Sequence, residues 1–242
     1  MTPIFSQKNC QLLGIALFAF ALIGRYSLLT VEIPPALGNT IWEAGCNLSS
    51  YLTIWTNSLV GVYFFTLAFF KNSKLGVFFQ KPRVEKAILM YILFVGIAYH
   101  VLLSAIYSPI GMAKIYNLFL HYINPIYFLL YTLLFTKTGF VRYSDSLYWL
   151  LYPLSYGIYT LVRGELTGFY PYPFVAVNAL GYAPVIKNIA GITISFFILG
   201  NIVIFVDGLI AKCKKTGYFR TISILITTTQ LLIFSSNIPC LG

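Results

Sequence analysis

Between Tyr51 and Phe70 the chain runs YLTIWTNSLVGVYFFTLAFF, twenty residues without a charge. At 1.5 Å per residue that is enough helix to cross the hydrocarbon core of a bilayer. Comparable apolar runs fall at residues 12–29, 87–107, 116–135, 147–162 and 189–210. No water-soluble fold can cover so much apolar surface. Of 242 residues 59% are hydrophobic and only 9% charged, against about 25% charged in a soluble domain. The expectation is an all-α fold: a polytopic membrane bundle of six transmembrane helices. The first run is too long for a signal-peptide core, carries Arg25, and has no clear small-residue cleavage site after it.

The net charge of +10 invites a nucleic-acid reading, but the placement of the charges opposes it. Lys8, then Lys71, Lys74, Lys81, Arg83 and Lys86, then Lys137 and Arg142, then Lys212, Lys214, Lys215 and Arg220 fall on one side of an alternating six-helix path. The other side collects only Lys114, Arg163 and Lys187. Excess Lys and Arg mark the cytoplasmic side, so both termini are expected in the cytoplasm. The localisation that follows is a bacterial inner (plasma) membrane, with membrane lipids as partners and no nucleic acid. Residues 1–211 read as the transmembrane domain. Residues 212–242 read as a basic then apolar tail, whose run at 222–234 is too short to span and is expected at the interface or loosely packed. The Pro- and Gly-bearing stretch 31–50 reads as a loop, as does the Gly/Pro/aromatic stretch 163–187.

With directions assigned, the polar groups within the helices gather at one level. Thr53, Thr56 and Asn57 lie at i, i+3 and i+4, on one helix face. They fall in the outer half of their helix, as do Arg25, His100, His121 and Asn124 in theirs, with Arg163 and Glu165 at the outer end of the fifth. The cytoplasmic half holds Asp207 and little else that ionises. Ionisable groups in a membrane are costly, so their clustering points to a cavity entered from the outer side. The bland alternative is hydrogen-bonding glue between helices.

A threonine hydroxyl becomes a nucleophile when a base takes its proton. Thr53 and His121 sit at similar depth, and Asn124, Asn57 or Glu165 are candidates to orient the imidazole. His100 and His121 on neighbouring helices also admit a bis-His haem reading. No metal spacing is present among Cys10, Cys46, Cys213 and Cys240, and no cofactor motif is found.

Three stretches, YLTIWTNSLV, LHYINP and PLSYGIYTLVRGELTGFYPYPF, resemble the androgen-induced gene and androgen-dependent TFPI-regulating protein family, and more closely its bacterial six-helix relatives. The resemblance implies a threonine hydrolase of fatty-acyl esters, with Thr53 as nucleophile and His121 as base and Thr56 as a rival to Thr53. Arg25, Thr56, Asn57, His100, Asn124, Arg163, Tyr170 and Tyr172 would surround the substrate. The FYPYPF loop would be an aromatic cap at the interface or a lid. The alternative is a non-catalytic protein that binds or transports a lipid or small molecule in the same cavity.

Overall fold

The computed structural model describes residues 6–31 and 37–216. The apolar run at 222–234, Arg220 and the prolines at 34 and 35 lie outside the described residues. Within them the chain is all helix, with no strand. The elements are α1 (Gln7–Ser27), α2 (Ile41–Ser49), α3 (Leu52–Phe69), α4 (Lys74–Phe79), α5 (Pro82–Ala98), α6 (Gly111–Leu118), α7 (Asn124–Phe135), α8 (Asp145–Trp149), α9 (Leu151–Thr167), α10 (Val177–Leu180) and α11 (Tyr182–Lys215). A π turn, Tyr99–Leu103, continues α5, and a second, Phe119–Ile123, joins α6 to α7.

Five helical segments are long and apolar enough to cross a membrane: Gln7–Thr30, Leu52–Phe69, Pro82–Leu103, Gly111–Phe135 and Tyr182–Lys215. The segment expected as the fifth span is broken at Leu150 into α8 and α9, and α9 has 17 residues. The molecule is thus a helical bundle with the exterior of an integral membrane protein. Ile23, Ile97, Val101, Leu134, Ile158 and Ile194 all face outward along these helices, an apolar surface that water would not tolerate and lipid would.

α3 and α5 form the centre and are the most buried of the five long helices, and α11 is the least. α1 packs along α3, α7 along α5, and α11 on the other flank of α5. The core is aromatic. Tyr63, Phe64, Phe128 and Phe196 are essentially inaccessible, and Tyr63, Phe64 and Phe128 meet edge to face at 5.2–5.5 Å, the arrangement favoured by ring quadrupoles.

Several boundaries differ from the sequence expectation. The supposed loop 31–50 contains α2. Thr40 caps it by accepting from the Glu43 amide at 3.1 Å, and Glu43 returns a bond from the Asn39 amide at 3.0 Å, close to a capping box. α9 runs on to Thr167 and stops at Gly168, whose φ of 72° favours glycine. α11 begins at Tyr182 and carries on past residue 211 to Lys215. Arg163, Glu165 and Lys187 are therefore helical, and only 168–181 connects the two helices.

The end of the bundle away from Thr53 is richer in charge than expected. Besides Asp207, Glu85, Lys86 and Asp145 are all buried there. Lys86 Nζ lies 3.1 Å from Asp207 Oδ1 and donates to Thr136 Oγ1 at 3.0 Å. Asp207 Oδ2 accepts from the Gly139 amide at 2.7 Å. Glu85 accepts from Tyr63 at 3.0 Å, and Asp145 meets Arg83 at 3.2 Å. Lys86 belongs to the interior of α5 rather than to a basic loop. Pairing makes such burial tolerable.

Candidate functional site

Pro125 has no amide hydrogen, so the helix turn before it cannot close in the ordinary α pattern. It widens instead: the Asn124 amide reaches back to the Phe119 carbonyl, and the π turn Phe119–Ile123 carries His121 at its middle. The Leu120 carbonyl takes the Asn57 Nδ2 of α3 at 3.2 Å. The same amide donates to the Thr53 carbonyl at 2.8 Å, and Asn57 Oδ1 accepts from Asn124 Nδ2 at 2.9 Å. This buried lattice locks the His121 turn against the first turns of α3. Gly96 of α5 presses on the other side. A Cβ there would stand 2.7 Å from the His121 carbonyl oxygen. Gly96→Ala is therefore expected to cost about 1–3 kcal/mol of stability by overpacking and to displace the His121 turn. Thermal unfolding in detergent, alongside whatever activity the site has, checks both.

What this lattice holds in place is a short relay. Thr53 Oγ1 lies 3.2 Å from His121 Nε2. His121 Nδ1 lies 3.0 Å from the Asn117 carbonyl oxygen. A carbonyl can only accept, so Nδ1 bears the hydrogen, and Nε2 presents its lone pair to the threonine hydroxyl. The imidazole also stacks on Tyr99 with centroids 4.0 Å apart. Tyr99 in turn is fixed by a 2.7 Å bond from Asn117 Nδ2. The expected orienting groups were Asn124, Asn57 or Glu165. The one found is the backbone carbonyl of Asn117. Asn57 and Asn124 act a step back, in the buried lattice, and Glu165 accepts from Tyr182 at 2.9 Å on the exposed surface.

Two cavities meet at this relay. The larger of the two, about 310 Å³, is lined by Arg25, Tyr51, Thr53, Tyr99, Tyr107, Asn117, His121, Pro171, Tyr172 and Pro173 with a few aliphatic side chains. That volume is at the lower bound for small-molecule sites, about 300 Å³. The second, about 70 Å³, is apolar and runs between α5, α9 and α11. Thr53, Tyr99, Leu103 and Tyr172 line both.

Tyr172 comes from the FYPYPF loop, which folds inward. Pro171 and Tyr172 are buried, and the Tyr51 ring meets Tyr172 edge to face at 5.3 Å. Tyr172 lines the chamber beside Thr53 at the start of α3, where the Leu52 amide donates to the Tyr156 phenol at 3.1 Å. Burial raises the Tyr172 phenol above its usual range and pushes that of Tyr51 up to about 12. Both are protonated donors at neutral pH.

Of the ten expected residues, the structure brings Arg25, Thr53, His121 and Tyr172 to the 310 Å³ chamber. It keeps the others out of both cavities. Thr56 turns toward α9, where its hydroxyl meets Tyr152 at 3.1 Å with no base beside it. Thr53 and Thr56 thus face different neighbours. His100 is exposed and bonded to Tyr122 at 3.1 Å. His100 lines neither cavity, so the two histidines do not share a chamber. Arg163 bonds Asn47 of α2 at 2.6 Å and lies over Phe169, and the Tyr170 ring covers Gly164. Tyr51, Tyr99, Tyr107 and Asn117 are lining residues not among those ten, while Pro171 and Pro173 come from the FYPYPF loop expected as a cap or lid. The π turn forced by Pro125 was the available signal for Asn117. Among the described residues no group of His, Cys, Asp or Glu could hold a metal ion. No protein-family model, no curated protein and no solved structure matches this chain.

Proposed function

We propose that the protein is an integral membrane hydrolase of acyl esters in which Thr53 is the nucleophile and His121 the general base. The observation that carries this reading is the relay Thr53 Oγ1, His121 Nε2, His121 Nδ1, Asn117 carbonyl, with spacings of 3.2 and 3.0 Å. A hydroxyl, a base with its lone pair toward it, and a group that fixes the tautomer are what nucleophilic acyl transfer requires. It is also the chemistry implied by the resemblance to the androgen-induced gene family. α9 serves as the sixth span, the termini face the cytoplasm, and the chambers open toward the outer leaflet of a bacterial plasma membrane.

In this mechanism Thr53 Oγ1 attacks the ester carbonyl carbon while its proton passes to His121 Nε2. The carbonyl oxygen becomes an oxyanion, met by the Tyr172 phenol at the positive end of the α3 dipole. The carbon–oxygen bond to the alcohol breaks, and the departing oxygen takes the proton from the imidazolium. Water then attacks the Thr53 ester and gives a proton to His121. When the Thr53–acyl bond breaks, the proton returns to Thr53 Oγ1 and a carboxylic acid leaves.

A fluorophosphonate probe tests the reading. Displacement of fluoride should leave a phosphonate ester on the peptide that carries Thr53. Both Thr53→Ala and His121→Ala should abolish it. Labelling that persists in Thr53→Ala, or maps to another residue, rejects the nucleophile. Acyl ligands retained unhydrolysed by wild type and Thr53→Ala alike would leave a binding or transport protein.

A further inference from the structure

Along α9 and α11 the serine and threonine hydroxyls bond back to the carbonyl one turn earlier, the usual resort of a hydroxyl in an apolar helix. Ser155 donates to Leu151 at 2.6 Å, Thr167 to Arg163 at 2.8 Å, Thr193 to Ile189 at 2.8 Å and Ser195 to Gly191 at 2.9 Å. Thr160 of α9 does not. It is 2% exposed, and its Oγ1 has no hydrogen-bond partner in the protein. The neighbouring Tyr156 phenol lies beyond that reach and is engaged elsewhere. It donates to the Ser50 carbonyl at 2.9 Å and accepts from the Leu52 amide at 3.1 Å. A buried hydroxyl left without any partner destabilises the fold.

Thr160 lines the smaller cavity, between α5, α9 and α11, and so do Thr53, Tyr156 and Tyr172. Most of that wall is hydrocarbon, but these four bring hydroxyls to it. The cavity measures about 70 Å³. A water molecule needs about 10–15 Å³ of such space and a few polar partners. The Thr160 hydroxyl is one, and the Tyr156 oxygen can accept once more. An acyl ester does not fit there and must lie in the chamber of about 310 Å³ that Thr53 also lines. Water in the smaller cavity is therefore not displaced by the substrate.

We infer that the smaller cavity is a water site and that Thr160 is the positioning residue that holds the water used to deacylate Thr53. The role in deacylation rests on the hydrolase reading, and the water site does not. In that step the water oxygen attacks the carbonyl carbon of the Thr53 ester, and one water proton passes to His121 Nε2. The bond from that carbon to Thr53 Oγ1 breaks, the proton returns to Oγ1, and the carboxylic acid leaves. Thr160 and Tyr156 keep their own protons and supply only hydrogen bonds to the water.

Thr160→Val separates a wet cavity from a dry one. Valine keeps the shape of threonine and removes the hydroxyl. In a dry cavity the change deletes an unbonded polar group, and the unfolding temperature rises. In a hydrated cavity it deletes a bond to water, and the temperature stays or falls. Thr160→Ser keeps the hydroxyl.

The experiment uses the full-length protein in detergent. X-ray radiolysis turns bound water into hydroxyl radicals that oxidise the side chains beside it. Phe94 and Phe196 of the cavity wall should be oxidised several-fold more than Phe64 and Phe128, which are buried away from it. That excess should vanish in Thr160→Val and persist in Thr160→Ser. With p-nitrophenyl acetate, Thr160→Val should keep the first burst of p-nitrophenol, lower steady turnover on the order of tenfold for one lost hydrogen bond, and accumulate acetyl on Thr53. Thr160→Ser should restore turnover. If Thr160→Val does not fold, Ala98→Leu, which fills the cavity from α5, carries the same radiolytic and kinetic expectations. Equal oxidation of the two phenylalanine pairs, an excess that survives Thr160→Val, a raised unfolding temperature, unchanged steady turnover, or burst and turnover falling together overturns the proposal. If the cavity is dry while acetyl turns over at Thr53, the water site fails and the hydrolase reading stands. If the oxidation depends on Thr160 but Thr53 is never acetylated, the water site stands and the hydrolase reading fails.

Discussion

Thr53→Ala is expected to lower ester hydrolysis on the order of 10³-fold or more, because removing a nucleophile leaves only binding and oxyanion stabilisation to act on a water molecule. Thr56→Val is the matched control. Thr56 is also buried on α3 and was the rival candidate, but its hydroxyl meets the Tyr152 phenol and not a base. Valine keeps its shape and removes one hydrogen bond, so a loss of about 1 kcal/mol in stability is expected with turnover per folded molecule nearly unchanged. Thr53→Ser should keep most of the activity, since the hydroxyl stays and only the β-methyl that restricts its rotamer is lost. Hydrolysis that falls with Thr56→Val and survives Thr53→Ala would transfer the nucleophile to Thr56 and contradict the geometry around His121.

Asp207→Ala should be the most destabilising single change at the opposite end of the bundle. It leaves Lys86, 3% exposed, without its anion and strips the Gly139 amide of its acceptor. Breaking one side of a buried ion pair costs about 3–5 kcal/mol. The double substitution Lys86→Met with Asp207→Leu removes both charges and should recover most of that loss, because well-packed apolar residues replace buried pairs at little cost. Thermal unfolding in detergent measures both variants. An Asp207→Ala protein as stable as the wild type would show that Lys86 reaches water or headgroups and that the pair contributes nothing. The pair lies far along α5 from the π turn at Tyr99, so activity per folded molecule should not follow this stability.

Much of the scaffold was legible because its signals are local. Apolar runs long enough for a bilayer, broken by Pro, Gly and charge, located the five helices that are long and apolar enough to cross a membrane. α2 was missed although Thr40 and Glu43 stand at capping-box spacing, because two prolines and two glycines nearby pointed to a loop. The buried charges of α5 were missed for a different reason. Lys86 and Asp207 are 121 positions apart in sequence, and no periodicity links them. Without its partner, Lys86 reads as one more basic residue beside a membrane.

The same division runs through the site. Position along a helix gives depth, and depth alone sets Thr53 and His121 at a similar level. Depth does not give rotation. Which of Thr53 and Thr56 faces the histidine depends on how α3 turns against its neighbours, which is decided by the Asn57–Leu120 and Asn57–Asn124 bonds and the close pass at Gly96. The tautomer depends on a backbone carbonyl, at Asn117, that no side-chain pattern announces. The amino-acid sequence by itself determined a helical chain apolar enough for a membrane, with Thr53 and His121 at similar depth. The tertiary structure alone decided which of those groups touch, because helix-to-helix rotation is settled by packing between segments far apart in the chain.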